Sequence, residues 1–255
     1  MAKQGIKSAP RMETRYDQGR HWRAKIGFVV LATEQTIEED MFRVAPPGVG
    51  VHFSRVWMEN AITVKTLETV SEDLAGAAAK ILPNENLNVV CYACTSGSMV
   101  LGEDRVAAEL NKGAPNALAT SLIASVISAL NAFKVRRIVV GTPYLDEINE
   151  MEKKYLENQG FHVLHITGLN ITNDSSMVKV TPDFIKEFAL SIDDPNAEAI
   201  FISCGALRSL DVVEEIEKAA QKPVIVSNQA MIWETLRLAG IQDRIDGYGR
   251  LLREF

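Results

Sequence analysis

The chain has 255 residues, 47% hydrophobic and 24% charged, with 33 acidic against 27 basic residues and a net charge of −6. At about 100–200 residues per domain this is one large domain or two small ones, long enough to bury a sufficient core without disulfides. The acidic balance excludes a nucleic-acid partner, which needs a basic face to neutralise phosphates. No apolar run approaches the ~20 residues that span a membrane.

Residues 1–23 are polar, carry Arg11, Arg15, Arg20 and Arg23, and lack the apolar core of a secretory signal. They are expected to form an extension that drapes over a neighbour or subunit. Residues 25–31 (KIGFVVL) and 49–56 (VGVHFSRV) are β-rich. Residues 67–82 have helical periodicity, with Leu67, Val70, Leu74, Ala78 and Ile81 on one face. Residues 87–94 read as a strand and 103–110 as a helix; Pro115 breaks the chain before a long apolar helix over 121–133, whose surface permits a dimer interface.

The pattern then repeats. Residues 136–141 are a strand, and 145–158 a helix stopped by Gly160. Residues 161–167 are a strand, after which Thr181 and Pro182 open a helix as capping residue and first-turn proline. Strands at 197–203 and 223–227 alternate with helices at 210–220 and 230–239. Such alternation implies a mostly parallel sheet. The expected fold is α/β with two pseudo-symmetric lobes, each a mostly parallel sheet flanked by helices, and the active site in the cleft between them. Residues 24–117 plus 226–255 make the first lobe and 118–225 the second.

The three cysteines, Cys91, Cys94 and Cys204, are too few for a disulfide framework, and a reducing cytoplasm is the simplest location. Cys94 and Cys204 end look-alike apolar strands, and each is followed by small residues that turn the chain toward a helix. In a parallel α/β sheet ligands sit beyond the carboxyl ends of the strands, so each lobe carries one thiol to such a place. Thr95, Ser96 and the backbone N–H groups after Cys94 form a helix entrance that stabilises anions and lowers a thiol pKa. Gly205, after Cys204, permits close approach of a substrate to the backbone. Cys91 lies mid-strand and reads as core.

Around the thiols, Tyr144 follows the 136–141 strand and can hydrogen-bond a ligand. Gln35 can grip a carboxylate, which Glu34 would repel unless turned away. Asn170, Asn173, Asp174, Asn228 and Gln229 follow other strands, and as a group they would line a pocket suited to a small dicarboxylate or another enolisable acid. His21, His52, His162 and His165 read as structural. Cys91-x-x-Cys94 has no second pair to make a metal site, and there is no phosphate loop or dinucleotide fingerprint. No metal and no cofactor are expected.

Taken jointly, Ala93-Cys94-Thr-Ser-Gly-Ser98, Val135-Arg-Arg-Ile-Val-Val-Gly-Thr-Pro-Tyr144, Gly168-Leu-Asn-Ile-Thr-Asn173, Ser203-Cys204-Gly205 and Ser227-Asn-Gln-Ala-Met-Ile-Trp233 resemble the aspartate/glutamate racemase superfamily. Within it the likeness is to the maleate cis–trans isomerase and arylmalonate decarboxylase branch, over nearly all of residues 24–255. The resemblance implies chemistry without a cofactor on a small carboxylate, in a homo-oligomer (dimer or tetramer). It implies Cys94 as nucleophile and Cys204 as its acid/base partner. Tyr144 and Asn173 would bind carboxylates, with Gln35, Thr95, Ser96, Thr120 and Gly205 completing the binding set. Where maleate isomerases have Ser-Asn-Thr-Thr after the first strand, this chain has Glu34-Gln35-Thr36-Ile37. The alternative is a racemase or decarboxylase acting through an enediolate, such as the ectoine-utilisation relative.

Overall fold

Short apolar runs with little polar alternation make strands that are covered on both faces, the signature of a parallel sheet between helices. The computed structural model describes residues 13–255. It holds eight strands: β1 Ala24–Leu31, β2 Val49–Val56, β3 Val89–Tyr92, β4 Leu118–Ser121, β5 Arg137–Thr142, β6 His162–Gly168, β7 Ala199–Ile202 and β8 Val224–Val226. They form two four-stranded sheets of order β2-β1-β3-β4 and β6-β5-β7-β8, and all six pairings are parallel. Strands β3, β7 and β8 are buried along their whole length.

The identical strand order is the expected two-lobed repeat, and it extends to single hydrogen bonds. Just beyond β3, Ala93 N–H donates to Val29 O at 2.9 Å; just beyond β7, Ser203 N–H donates to Gly141 O at 2.9 Å. The next residue in each case is a cysteine. The two halves interlock as well as repeat: helix Leu122–Ala132, after β4, packs against helix Ser227–Leu238, after β8. One face of the former is therefore covered from within the chain, while Ile127 and Phe133 stay half-buried.

Several expectations shift. Strand β4 pairs with β3 in the first sheet, so a lobe boundary at 118 cuts into that sheet; β4 is only four residues long and too brief to stand out beside Pro115. The single helix over 67–82 is broken into Val64–Thr69, a 3-10 turn Val70–Glu72, and Leu74–Ala79. The Thr69 and Ser71 hydroxyls donate to Thr66 O at 2.8 Å and Glu68 O at 2.9 Å, local bonds that compete with the helical ladder. Helix Ile37–Val44 was not expected; the Glu34 carboxylate caps it by accepting from the N–H groups of Gln35, Thr36 and Ile37. The capped start at Thr181 and Pro182 is present, with Thr181 Oγ1 accepting from Phe184 N–H at 3.3 Å. Gly160 takes the left-handed conformation expected of it (φ 87°). Of the extension, residues 1–12 lie outside the described residues. No helix among the described residues is long and apolar enough to cross a membrane.

One close approach in the second half bears on the site. Gly168, at the end of β6, lets Asn149 of helix Asp146–Asn158 come close; a Cβ there would lie 2.3 Å from Asn149 Nδ2 and 2.5 Å from Tyr144 O. Asn149 Nδ2 in turn donates to Tyr144 O at 3.3 Å. Gly168→Ala must therefore move backbone, and is expected to destabilise the fold by about 1–3 kcal/mol, read as a lower urea midpoint at unchanged slope.

Candidate functional site

Cys94 is the N-cap of helix Thr95–Leu101, in extended conformation. Its sulfur accepts from Gly97 N–H at 3.3 Å and lies 3.8 Å from Ser96 Oγ. Glycine at 97 makes this possible: a Cβ there would meet Tyr92 Oη at 2.3 Å and Cys94 Sγ at 3.0 Å, so the phenol and the thiol converge on one point. The thiol is only 7% exposed. Burial pushes its pKa up to about 11, against the lowering effect of the Gly97 N–H and the Ser96 hydroxyl. The expectation of a lowered pKa is thus overturned: the helix entrance acts in the expected direction, but desolvation outweighs it.

Cys204 sits two residues past β7, as Cys94 sits two past β3. Its surroundings differ. The chain after it turns through Gly205–Arg208 and a 3-10 turn at Ser209–Asp211 before helix Val213–Ala220 begins. Cys204 adopts φ 94°, a backbone region costing an L-residue of order 1–3 kcal/mol and found chiefly where function demands it. Its thiol is 5% exposed and lies 3.8 Å from Met177 Sδ. Burial raises its pKa well above the ordinary thiol value; Asp174 adds to the rise, and the Tyr144 hydroxyl opposes it.

The two cysteine loops are joined. Cys204 N–H donates to Ser227 Oγ at 3.0 Å, and Ser227 Oγ is 3.2 Å from Thr95 Oγ1, beside Cys94. Tyr144, 2% exposed, feels the charge of both thiols, Cys204 more than Cys94. Behind it, Glu152 and Ser203 are fully buried, and none of their side-chain oxygens has a hydrogen-bond partner. Burial raises Glu152 to about 7.

Two acids, not amides, accompany the thiols. Glu34 is 5% exposed, and burial raises it to about 6 despite its three N–H donors. Asp174 is 4% exposed and raised by burial; its Oδ2 has no partner. Its backbone is clipped to the other half: Asp174 N–H donates to Asn60 O at 3.1 Å, and Ala61 and Asn173 form an antiparallel bridge.

Of the residues singled out in the sequence, the structure brings together Cys94, Thr95, Ser96, Tyr144 and Cys204. Gly205 is adjacent, but its Cα faces Ile37 and Asn228. Three others lie apart from the thiols in this structure. Gln35 is exposed, its amide turned to Thr33 O at 3.4 Å, while Glu34 points inward. Asn173 is exposed while Asp174 points inward. Thr120 pairs in register with Cys91 and donates to Glu234 Oε2 at 2.8 Å, in a cluster with Ser125 and Ser128. The residues not foreseen are Tyr92, Ser227 and Met177; the Ser227 hydroxyl at a strand end was the only signal pointing to any of them. A groove of about 430 Å³ lined by Ile81, Leu87 and Ala117 opens at the amino ends of β3 and β4, the opposite edge from the thiols.

The family model for arylmalonate decarboxylase matches residues 55–252. Arylmalonate decarboxylase from Bordetella bronchiseptica is 31% identical over 138 residues, 53% of this chain and 58% of the decarboxylase; the chain thus spans little more than half the length of that relative. Maleate isomerase from Nocardia farcinica (strain IFM 10152) is 28% identical over 247 residues, 90% of this chain and 96% of the isomerase. A solved structure of the Nocardia farcinica maleate cis–trans isomerase, a cysteine-to-serine mutant with a covalently bound succinylcysteine intermediate, has a TM-score of 0.83 and 24% identity. It covers 91% of this chain and 99% of the isomerase chain, a likeness of fold.

Two outcomes follow from the geometry. Ser227→Ala leaves the buried Cys204 N–H without an acceptor and is expected to cost about 1–3 kcal/mol, measured by urea unfolding. Glu152, near 4.5 when unfolded and about 7 when folded, is neutral in both states at low pH. As pH rises past 4.5 the unfolded chain loses this proton first, so stability falls through pH 4.5–7 and levels off above. Glu152→Gln is expected to remove that fall, worth about 3 kcal/mol at pH 8. A variant whose unfolding free energy tracks the parent across this range contradicts the assignment.

Proposed function

Because the chain belongs to the arylmalonate decarboxylase family, we propose that it is a cofactor-independent isomerase in which Cys94 and Cys204 work on one small carboxylic acid from opposite sides. The observation that carries this is the repeat itself. Each half ends its third strand in the same backbone hydrogen bond and then presents a thiol, and the two thiol loops meet through Ser227 and Thr95.

The chemistry follows from the thiols' surroundings. With its pKa at about 11, Cys94 is thiolate in only roughly one molecule in 10³–10⁴ near neutral pH. Ionisation is therefore coupled to substrate: Gly97 N–H and the Ser96 hydroxyl are already aimed at the sulfur. Thiolate is soft and adds readily to an electron-poor alkene. In the cis–trans reaction the Cys94 thiol passes its proton to a substrate carboxylate as its sulfur forms a bond to one alkene carbon. The π pair moves onto the neighbouring carbon and its carboxylate, and the Cys204 thiol gives that carbon its proton. Rotation about the new single bond, return of the carbon-bound proton to Cys204 and loss of Cys94 as thiolate, which takes its own proton back from the carboxylate, release the trans acid with both thiols restored. Tyr144, beside Cys204, steadies the thiolate left there. The succinylcysteine of the Nocardia isomerase is the adduct such a pathway yields.

A second reading uses the same atoms: one thiolate removes the proton from the carbon α to a carboxylate, and the other thiol protonates the opposite face through an enediolate. The presence of a thiol on each half suits it equally well.

Cys94→Ala and Cys204→Ala are each expected to lower conversion of a cis-unsaturated acid, maleate first, by at least about 100-fold. Unchanged turnover in either variant removes the role given to that residue. Solvent deuterium at the product α-carbon, with no alkene accepted, selects the second reading.

A further inference from the structure

The least explained group beside the thiols is the Asp174 carboxyl. It starts the short helix Asp174–Met177, and Met177, on the same face three residues on, touches Cys204 with its sulfur 3.8 Å from the thiol. Asp174 thus shares a wall with Cys204. It also lies within Coulombic reach of Cys94 and of Glu34, so it stands between the two halves. Asp174 is 96% buried by its 4% exposure, and Oδ2 has no hydrogen-bond partner. The Thr33 hydroxyl comes near without completing a bond of normal geometry, and its own oxygen is likewise unpartnered.

Among the described residues nothing neutralises this acid. Asp174 joins no salt bridge among them, and three arginines of other segments are engaged elsewhere. Arg208 donates to Val180 O at 3.1 Å, Arg43 pairs with Asp40 and Asp211, and Arg55 pairs with Glu38 and donates to Glu34 O. Glu34 differs, since its carboxylate is engaged by three backbone N–H groups at a helix start. Of the two acids within Coulombic reach of Cys204, Asp174 is the one left with an open acceptor. Nor is its position adventitious: the Asn60 carbonyl holds its N–H, and the Asn60 side chain accepts from Ser175 N–H at 3.1 Å and donates to Ser175 Oγ at 2.9 Å.

A buried acceptor without a donor is costly unless a ligand supplies one. A second substrate carboxylate placed here would add a like charge and no donor. From this we infer that Asp174 is a specificity-determining residue, and that the substrate is a small monoacid whose other end carries a nitrogen hydrogen-bond donor, an amide, ureido or ammonium group, which Asp174 accepts. The inference rests on the reading of both thiols as facing one substrate.

Maleate and its monoamide, maleamate, share a carbon skeleton and differ only at the end in question. Isothermal calorimetry on the whole chain is expected to show maleamate binding roughly 10–100-fold more tightly than maleate, the range for one hydrogen bond to a charged group. Asp174→Asn, which offers a donor as well as an acceptor, is expected to close that gap to within about threefold. Maleate binding as tightly as maleamate, a ratio unchanged in D174N, or binding of neither overturns the assignment; the wild-type ratio decides even if the variant does not fold. Isomerisation of the same two compounds separates this from the reading it rests on. Maleamate bound but not isomerised keeps Asp174 and removes the two-thiol isomerase. Maleate bound preferentially and isomerised keeps the isomerase and removes the role of Asp174.

Discussion

The Ser227 hydroxyl is the point on which the two halves of the molecule depend. It accepts the N–H of Cys204, a residue held at φ 94°, and meets Thr95, the residue after Cys94. A left-handed cysteine does not persist without surroundings that over-determine it, and Ser227 is part of those surroundings. Through one oxygen, the backbone of one thiol is referenced to the backbone of the other. Further contacts tighten the same seam: Thr36 Oγ1 donates to Ala206 O at 2.9 Å, and Asn228 Nδ2 donates to Asp40 Oδ2 at 2.8 Å.

The second constraint is dryness. Both cysteines are nearly sealed, and every titratable group around them leans toward its neutral form: the thiols, Tyr92 and Tyr144 are pushed up, as are Glu34, Asp174 and Glu152. The thiols and phenols of such a site hold their protons until something arrives to take them. In a medium of low effective dielectric each hydrogen bond aimed at a developing charge counts for more than in water. The Gly97 N–H and Ser96 hydroxyl at one sulfur and the Tyr144 hydroxyl at the other are the donors available for that purpose.

Much of this was legible in the sequence because it is carried by long, redundant signals. Continuous apolar runs mark β1, β5 and β7, and the recurrence of their order marks the repeat. The positions of Cys94 and Cys204 followed from strand ends, which are set by the same runs. What was not legible was direction. Of the neighbours Glu34 and Gln35 the amide was taken to point inward where the acid does, and of Asn173 and Asp174, both expected in the pocket, only the acid is buried. A loop residue's orientation is fixed by what caps the next helix or clips to a distant loop, here the N–H groups of 35–37 and Asn60. Neither partner is visible in a local window. The placement of Thr120 was hidden for the same reason, since its hydroxyl is engaged by Glu234, 114 residues away in the chain.

The proposed chemistry requires two sulfur atoms to meet one ligand. A crystal structure of the protein with a bound small carboxylic acid tests this most directly. Ligand density within about 4 Å of both the Cys94 and Cys204 sulfurs, with Tyr144 alongside, is the predicted result. A ligand seated against one sulfur alone, or in the groove at the amino ends of β3 and β4, contradicts it.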